Sequence, residues 1–378
     1  MRLAILTTFI APYRLPLFQR LSEYVDNLRI FVSTSMESNR NWVVRWDNLD
    51  VKLQKTISIK RVSKNWMGFT DVRFIHIPIS TLFDLNNYRP SVIISSEFGA
   101  RTLGALIYKF IQPKCKIIIW ATLSEHTEKK RGLFRRLLRK TYLRFTDATI
   151  VNGSSGFRYL QALGFSPDKI FIAPYTTNIT PLMKIKISSF LKKRFLYVGS
   201  LIPRKGLIQF INILIDWMNN NQNEDIDFLY CGNGPILQEI IKLNTPKNLS
   251  IRWLGEVAYS DISNIFAKGN VFVFPTLADE WGLVVNEAMA SGLPVMGSLY
   301  SQAVEDLVDE NENGWRFHPD NYQEVYNSIS KVMSMTPEGL QLFGKRARER
   351  ISGLDILHVS KLMMESVEYV CDDEKNKD

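Results

Sequence analysis

The 378-residue chain has only three cysteines, Cys115, Cys231 and Cys371, and four histidines. An odd, widely spaced cysteine set fits neither a disulfide framework nor a thiolate metal site, and points to a reducing, cytoplasmic compartment. No His/Cys/Asp cluster has ligand spacing, so no metal is expected. No apolar run reaches the roughly 18 to 20 residues of a membrane-spanning helix, so any membrane contact is expected to be peripheral. A complete dinucleotide fingerprint is missing too: in the run from Gly232 to Leu237 the sixth position of G-x-G-x-x-G is leucine. The basic residues come with no helix-turn-helix, zinc-finger or RNA-binding signature, which argues against nucleic acid as a partner.

What is present is the composition of a globular protein, 46% hydrophobic and 22% charged, in a chain long enough for two domains. The opening MRLAILTTFIAPYRLPLF resembles a short signal peptide, but Pro12, Tyr13 and Arg14 stand where small cleavage-site residues belong, and Leu3 to Phe9 reads as a buried strand. Strand-like runs alternate with helical segments: Leu3 to Phe9, Arg29 to Ser33, Phe74 to Pro78, Ser91 to Ser96, Lys116 to Ala121, Ala148 to Asn152 and Ile170 to Ala173. After a lysine-rich connection, Thr180 to Lys193, the alternation restarts at Phe195, Asp227, Ser250, Asn270, Pro294 and Trp315. That is a doubly wound α/β pattern written twice, and it predicts two Rossmann-like domains, 1–182 and 183–355, with a ligand cleft where strand ends face each other. A terminal segment, 356–378, is expected to supply a helix that packs back on the first domain and a charged, unstructured tail, Asp372 to Asp378.

The net charge of +9 is concentrated between Lys129 and Arg144, where Arg135, Arg136, Arg139 and Lys140 interleave with Leu133, Phe134, Leu137, Leu138 and Tyr142 at helical spacing. Two readings stay open for this basic amphipathic helix: contact with an anionic membrane, or an apolar stripe consumed by the core.

Chemistry gathers at three strand ends of the second half. Phe195 to Val198 turns through Gly199 into a loop presenting Arg204 and Lys205 ahead of a helix, which suits a diphosphate. Gly232 and Gly234 would let backbone approach a ligand closely. The run VFVFPTLADEWGLVVNEAMASGLPV, Val271 to Val295, leaves its strand at Pro275, passes Asp279, Glu280, Trp281 and Gly282, and enters a helix that stops at Gly292-Leu293-Pro294. The backbone N–H groups of Gly282, Leu283 and Val284 would favour a phosphate, and Glu287, one turn in, would accept bonds from sugar hydroxyls.

Together these motifs resemble the retaining family 4 glycosyltransferases of GT-B fold. The resemblance implies two Rossmann-like domains, a nucleoside diphosphate sugar (UDP- or GDP-linked) as donor, and no required cofactor. Lys205 matches the family lysine; its arginine position is Ser200 here, with Arg204 as the substitute. By resemblance Lys205 and Arg204 hold the diphosphate, Glu287 binds the ribose hydroxyls, and Asp279, standing where the family has glutamate, or its neighbour Glu280 faces the donor sugar. In the first half the family's Gly-Gly turn is replaced by Ala11-Pro12-Tyr13-Arg14; Arg14 could reach a phosphate, against the alternative of a surface salt bridge. His126 or Glu125 is the candidate for contact with the transferred sugar, and Arg14, Glu97 and Glu125 are the acceptor-side candidates. The expected activity is sugar transfer to a lipid-linked or saccharide acceptor at the inner membrane face, during surface-polysaccharide assembly (lipopolysaccharide or capsule). The alternatives are an inactive GT-B scaffold or an epimerase.

Overall fold

The computed structural model describes residues 1–37, 44–186 and 192–375. They form two compact units: Met1–Trp66 with Asp71–Asn178 and Leu354–Asp378, and Met67–Thr70 with Ile179–Gly353.

The first unit is built on a seven-stranded sheet, with β1 (Arg2–Thr7), β2 (Asn27–Val32), β3 (Asp50–Leu53), β6 (Val92–Ser96), β7 (Lys116–Ala121), β8 (Ala148–Val151) and β9 (Ile170–Ile172) in the order β3-β2-β1-β6-β7-β8-β9. The pairings are parallel; β1 meets β6 with Leu3 opposite Val92. Strands covered on both faces need no polar alternation, which is why they read as near-continuous apolar runs. Leu3, Ile5, Ile94, Ile118 and Trp120 pack on one face; Ala4, Leu6, Ile93, Ile117 and Ile119 pack on the other. The terminal helix Ile356–Lys375 belongs to the first of these faces through Val359, Met363, Val367 and Val370. It continues past Asp372, where the composition suggests an unstructured tail; residues 376–378 lie outside the described part.

Two strands were not legible. Besides β3, the chain forms a two-stranded ribbon, β4 (Thr56–Lys64) with β5 (Thr70–Pro78), outside the seven-stranded sheet. Phe74 to Pro78, expected among the core strands, belongs to this ribbon. Most of β4 is exposed, so it lacks the buried face on which alternation depends.

In the second unit β10 (Lys193–Val198), β11 (Ile226–Cys231), β12 (Leu249–Trp253), β13 (Val271–Phe274), β14 (Val295–Ser298) and β15 (Gly314–Phe317) form a parallel sheet ordered β12-β11-β10-β13-β14-β15. Chain order reverses between β10 and β13, and open sheets of this kind leave a ligand crevice beyond the carboxyl ends at that point. The expected connection from Thr180 contains a helical turn, Thr180–Met183; its residues 187–191 lie outside the described part.

The basic helix spans Leu133–Arg144, beginning after Gly132, whose φ of +86° breaks it from Lys129 to Arg131. Its two halves differ. Tyr142 and Leu143 are buried in the core, whereas Leu133, Phe134 and Leu137 are 83%, 80% and 64% exposed. Only the second half of the apolar stripe is consumed by packing.

Candidate functional site

The second unit brings the three expected strand ends together by backbone contact. Beyond β10 a short turn, Pro203–Lys205, ends at Gly206, in the left-handed region, which starts the helix Leu207–Asn220. A Cβ on Gly206 would lie 2.1 Å from the Pro275 carbonyl oxygen, so this loop and the one after β13 touch main chain to main chain. The Leu277 N–H accordingly donates to the Arg204 carbonyl at 2.9 Å. The β11 loop nests as closely: a Cβ on Gly232 would stand 2.0 Å from the Gly199 oxygen, and one on Gly234 2.2 Å from that of Leu201. Only glycine lets three loops converge at this spacing.

This convergence places the charged side chains. The Lys205 ammonium hydrogen-bonds the Asp279 carboxylate and sits 5.1 Å from the Phe274 ring centre. Arg204 donates from Nη1 to the Ala278 carbonyl at 3.1 Å and lies 3.7 Å from the Glu280 carboxylate. Burial works to raise the Asp279 carboxyl, but Lys205 and Arg204 outweigh it and hold the group below its ordinary range. Burial also draws the Lys205 ammonium down, even with Asp279 beside it. Two cations and two carboxylates thus interleave, and a ligand's diphosphate would compete with Asp279 for Lys205.

Trp281 is the loop's anchor. It is buried, its Nε1–H donates to Asn286 Oδ1 at 3.0 Å, and its carbonyl accepts from Ser301 Oγ. Gly282 follows with φ +106°, and a Cβ there would meet the Phe274 ring at 2.8 Å and Ser301 Oγ at 2.9 Å. The helix Leu283–Ala290 then begins. Since the Val285 N–H already bonds the Gly282 carbonyl, those of Gly282, Leu283 and Val284 are the amides left for a ligand at its start. Glu287 lies one turn in, partly buried, and burial pushes its carboxyl up to about 7 despite a bond with Tyr259. Tyr259 carries no motif and was not legible in the sequence.

In the first unit, Arg14 makes no surface salt bridge among the contacts described: its guanidinium lies 4.6 Å from the Trp120 ring centre and 4.8 Å from that of Tyr175, and it donates to the Tyr175 hydroxyl. Trp120 and Tyr175 supply the partners that a sequence reading would seek among carboxylates. Glu97, with φ +66°, accepts from the Thr122 N–H at 3.2 Å and from the Thr122 hydroxyl. Glu125 is held by Arg158 at 2.7 Å, and His126 packs edge-on to Trp66 with ring centres 5.2 Å apart. Arg101, which no motif marks, is buried beside this group, donating to Thr8 Oγ1 at 2.8 Å and Ser33 Oγ at 3.3 Å. Its burial pulls the guanidinium down to about 10.

Among the described residues no group of three His, Cys, Asp or Glu side chains is placed to hold a metal ion, and no helix is long and apolar enough to cross a membrane.

The loops just described fall within a stretch with known relatives. Residues 184–350 match the family model of the group 1 glycosyl transferases. Among curated proteins, the sulfoquinovosyl transferase of Arabidopsis thaliana is 28% identical over 175 residues, covering 46% of this chain and 33% of the relative. The Escherichia coli UDP-Gal:α-D-GlcNAc-diphosphoundecaprenol α-1,3-galactosyltransferase is 27% identical over 210 residues, 52% of this chain and 54% of the relative. The chain thus spans from about a third to about half of the length of these two relatives. In three dimensions it is similar to the lipopolysaccharide outer core galactosyltransferase WaaB (TM-score 0.72, 13% identity, 97% of this chain and 99% of that one) and to Anabaena HepE in complex with UDP (TM-score 0.72, 16% identity, 97% and 100%). The fold is therefore that of GT-B glycosyltransferases, and the match over residues 184–350 is to a family of transferases.

Proposed function

We propose that the protein is a retaining family 4 glycosyltransferase, moving a sugar from a nucleoside diphosphate to a hydroxyl of a lipid-linked glycan. The observation that carries this reading is the grouping of Lys205, Arg204, the Leu283 and Val284 amides and Glu287 at the β10/β13 switch point. The diphosphate displaces Asp279 from Lys205, and Glu287 accepts bonds from the ribose hydroxyls. As the bond from the anomeric carbon to the diphosphate oxygen breaks, Lys205, Arg204 and the helix start stabilise the charge growing on the leaving group. A diphosphate oxygen takes the proton of the acceptor hydroxyl, whose oxygen bonds the anomeric carbon on the same face, retaining its configuration. No protein nucleophile is required. Asp279, freed from Lys205, or Glu280 then faces the sugar.

The complexes of HepE with UDP and with UDP-glucose favour a UDP-sugar donor. The acceptor named for the E. coli relative favours a lipid diphosphate at the inner membrane face, in lipopolysaccharide or capsule assembly, and the exposed Leu133, Phe134 and Leu137 beside the basic residues suit peripheral contact with anionic lipid. Calorimetric titration with UDP, GDP and their sugars, followed by product release, tests the reading: binding and turnover in the wild type, lost in Lys205→Ala and Glu287→Ala, is the expected result. Wild-type turnover in both variants would overturn the site assignment. The second reading, a scaffold without catalysis, is favoured by Ser200 in the arginine position and by Lys205 already tied to Asp279; donor binding without turnover would support it.

A further inference from the structure

The first unit has a cavity of about 670 Å³ between the β4–β5 ribbon and the helix Leu133–Arg144. Seven of its fourteen lining side chains are cationic and none is acidic. Lys129 and Lys130 are held over one side chain, their ammonium groups 4.7 and 5.5 Å from the Trp66 ring centre. Lys130 adopts this position with φ +59°, a conformation costly for a non-glycine residue. Behind them a single carboxylate, Glu128, serves three guanidinium groups: it is bonded by Arg139, with Arg131 at 3.4 Å and Arg135 at 3.8 Å. With seven cationic side chains and no acidic one in its lining, the cavity is positively charged. At its edge stand Leu138 and the exposed Phe134, and Leu133 and Leu137 extend the apolar strip along the helix.

A cationic hollow bordered by exposed apolar side chains matches an amphiphile whose anionic head is joined to a hydrocarbon chain. A concave site with several converging donors suits the multiple charges of a diphosphate better than the single charge of a bulk phospholipid headgroup. We infer that this cavity binds the diphosphate of a lipid-linked acceptor, with Lys129, Lys130, Arg131 and Arg135 on the phosphates and Phe134 and Leu138 against the first part of the chain. The inference rests on the proposed transfer to a lipid-linked glycan and adds the place where the acceptor's head is held.

Calorimetry with farnesyl diphosphate as a short, soluble isoprenoid diphosphate, and with UDP as a separate titrant, tests it on the full chain. Farnesyl diphosphate should bind saturably, should bind more tightly than inorganic diphosphate, and should lose about tenfold in affinity in Lys130→Ala and again in Arg135→Ala, since each removes a charge-assisted contact. Both positions are solvent-facing, so the variants should fold, and their UDP affinity should match the wild type. Equal binding of farnesyl diphosphate by wild type and double variant would overturn the assignment. So would equal affinity for inorganic and farnesyl diphosphate, or binding only to vesicles containing anionic phospholipid. Wild-type protein that binds farnesyl diphosphate in this way but does not bind UDP would sink the donor-site reading and leave this cavity standing.

Discussion

Replacing Glu287 by glutamine should stabilise the ligand-free protein at neutral and alkaline pH while weakening its hold on a nucleotide. Burial raises this carboxyl from 4.5 to about 7. Below 4.5 the side chain is protonated in both the folded and the unfolded chain and costs nothing. Between 4.5 and about 7 the folded state keeps a proton that the unfolded state releases, so the unfolded state binds fewer protons and stability falls as pH rises. Above 7 the loss is complete, and at about 1.4 kcal/mol per pH unit it amounts to about 3 kcal/mol. Glutamine carries no charge to desolvate and removes this loss. For a unit of this size about 3 kcal/mol corresponds to a rise in Tm of about 6 to 12 °C at pH 8, against less than about 1 kcal/mol at pH 5. Scanning calorimetry of wild type and variant from pH 5 to 8 reads the difference directly. A Tm difference that does not change with pH would refute the argument, because it would mean that Glu287 does not titrate between its folded and unfolded values.

The same displaced carboxyl makes nucleotide binding pH-dependent. Ribose hydroxyls donate to the ionised form, so binding favours loss of the proton, and UDP affinity should climb from pH 6 to pH 8 by up to about tenfold. The Glu287→Gln substitution should flatten that climb. The ratio of wild-type to variant affinity at each pH cancels the titration of the nucleotide's own phosphate.

Lys205→Ala should lower kcat by about a hundredfold or more, the scale of losing one donor to the departing group. It should also destabilise the fold by about 3 kcal/mol, because Asp279 is left buried without its partner. Adding Asp279→Asn should recover most of the stability and none of the activity, as urea melts and product assays would read. Gly232→Ala places a Cβ 2.0 Å from the Gly199 oxygen at a φ of +132°, so a stability loss on the order of 3 kcal/mol and weaker UDP binding are expected from melts and calorimetry. Substituting Leu133, Phe134 and Leu137 together by serine should change stability by no more than about 0.5 kcal/mol per site, since all three are exposed. If this strip contacts membrane, the triple variant should lose sedimentation with anionic vesicles, and wild-type binding should fall with salt. Wild-type binding to neutral vesicles alone would remove the membrane reading.

The parts of the molecule that announce themselves are those where one residue type has one physical use. Leu3 to Leu6 and Val271 to Phe274 read as strands because both their faces are covered, and Gly232, Gly234 and Gly282 read as loop residues because a side chain there would strike main chain or a ring within 3 Å. Local spacing shows less where a contact depends on distant sequence. Arg14 looks like a partner for a carboxylate until Trp120 and Tyr175, far along the chain, supply aromatic faces instead. Tyr259 reaches Glu287 from another element, and Arg101 finds its acceptors on Thr8 and Ser33, so neither has a local signature. Strand β4 of the ribbon escapes for the opposite reason: most of its residues face water, and a period that hides nothing leaves no pattern. Its location beside the basic helix nevertheless gives Lys129 to Arg135 a shape. A run of positive charges along a segment suggests only an anionic partner, whereas a ribbon closing one side of them makes a hollow, and a hollow can distinguish one anion from another.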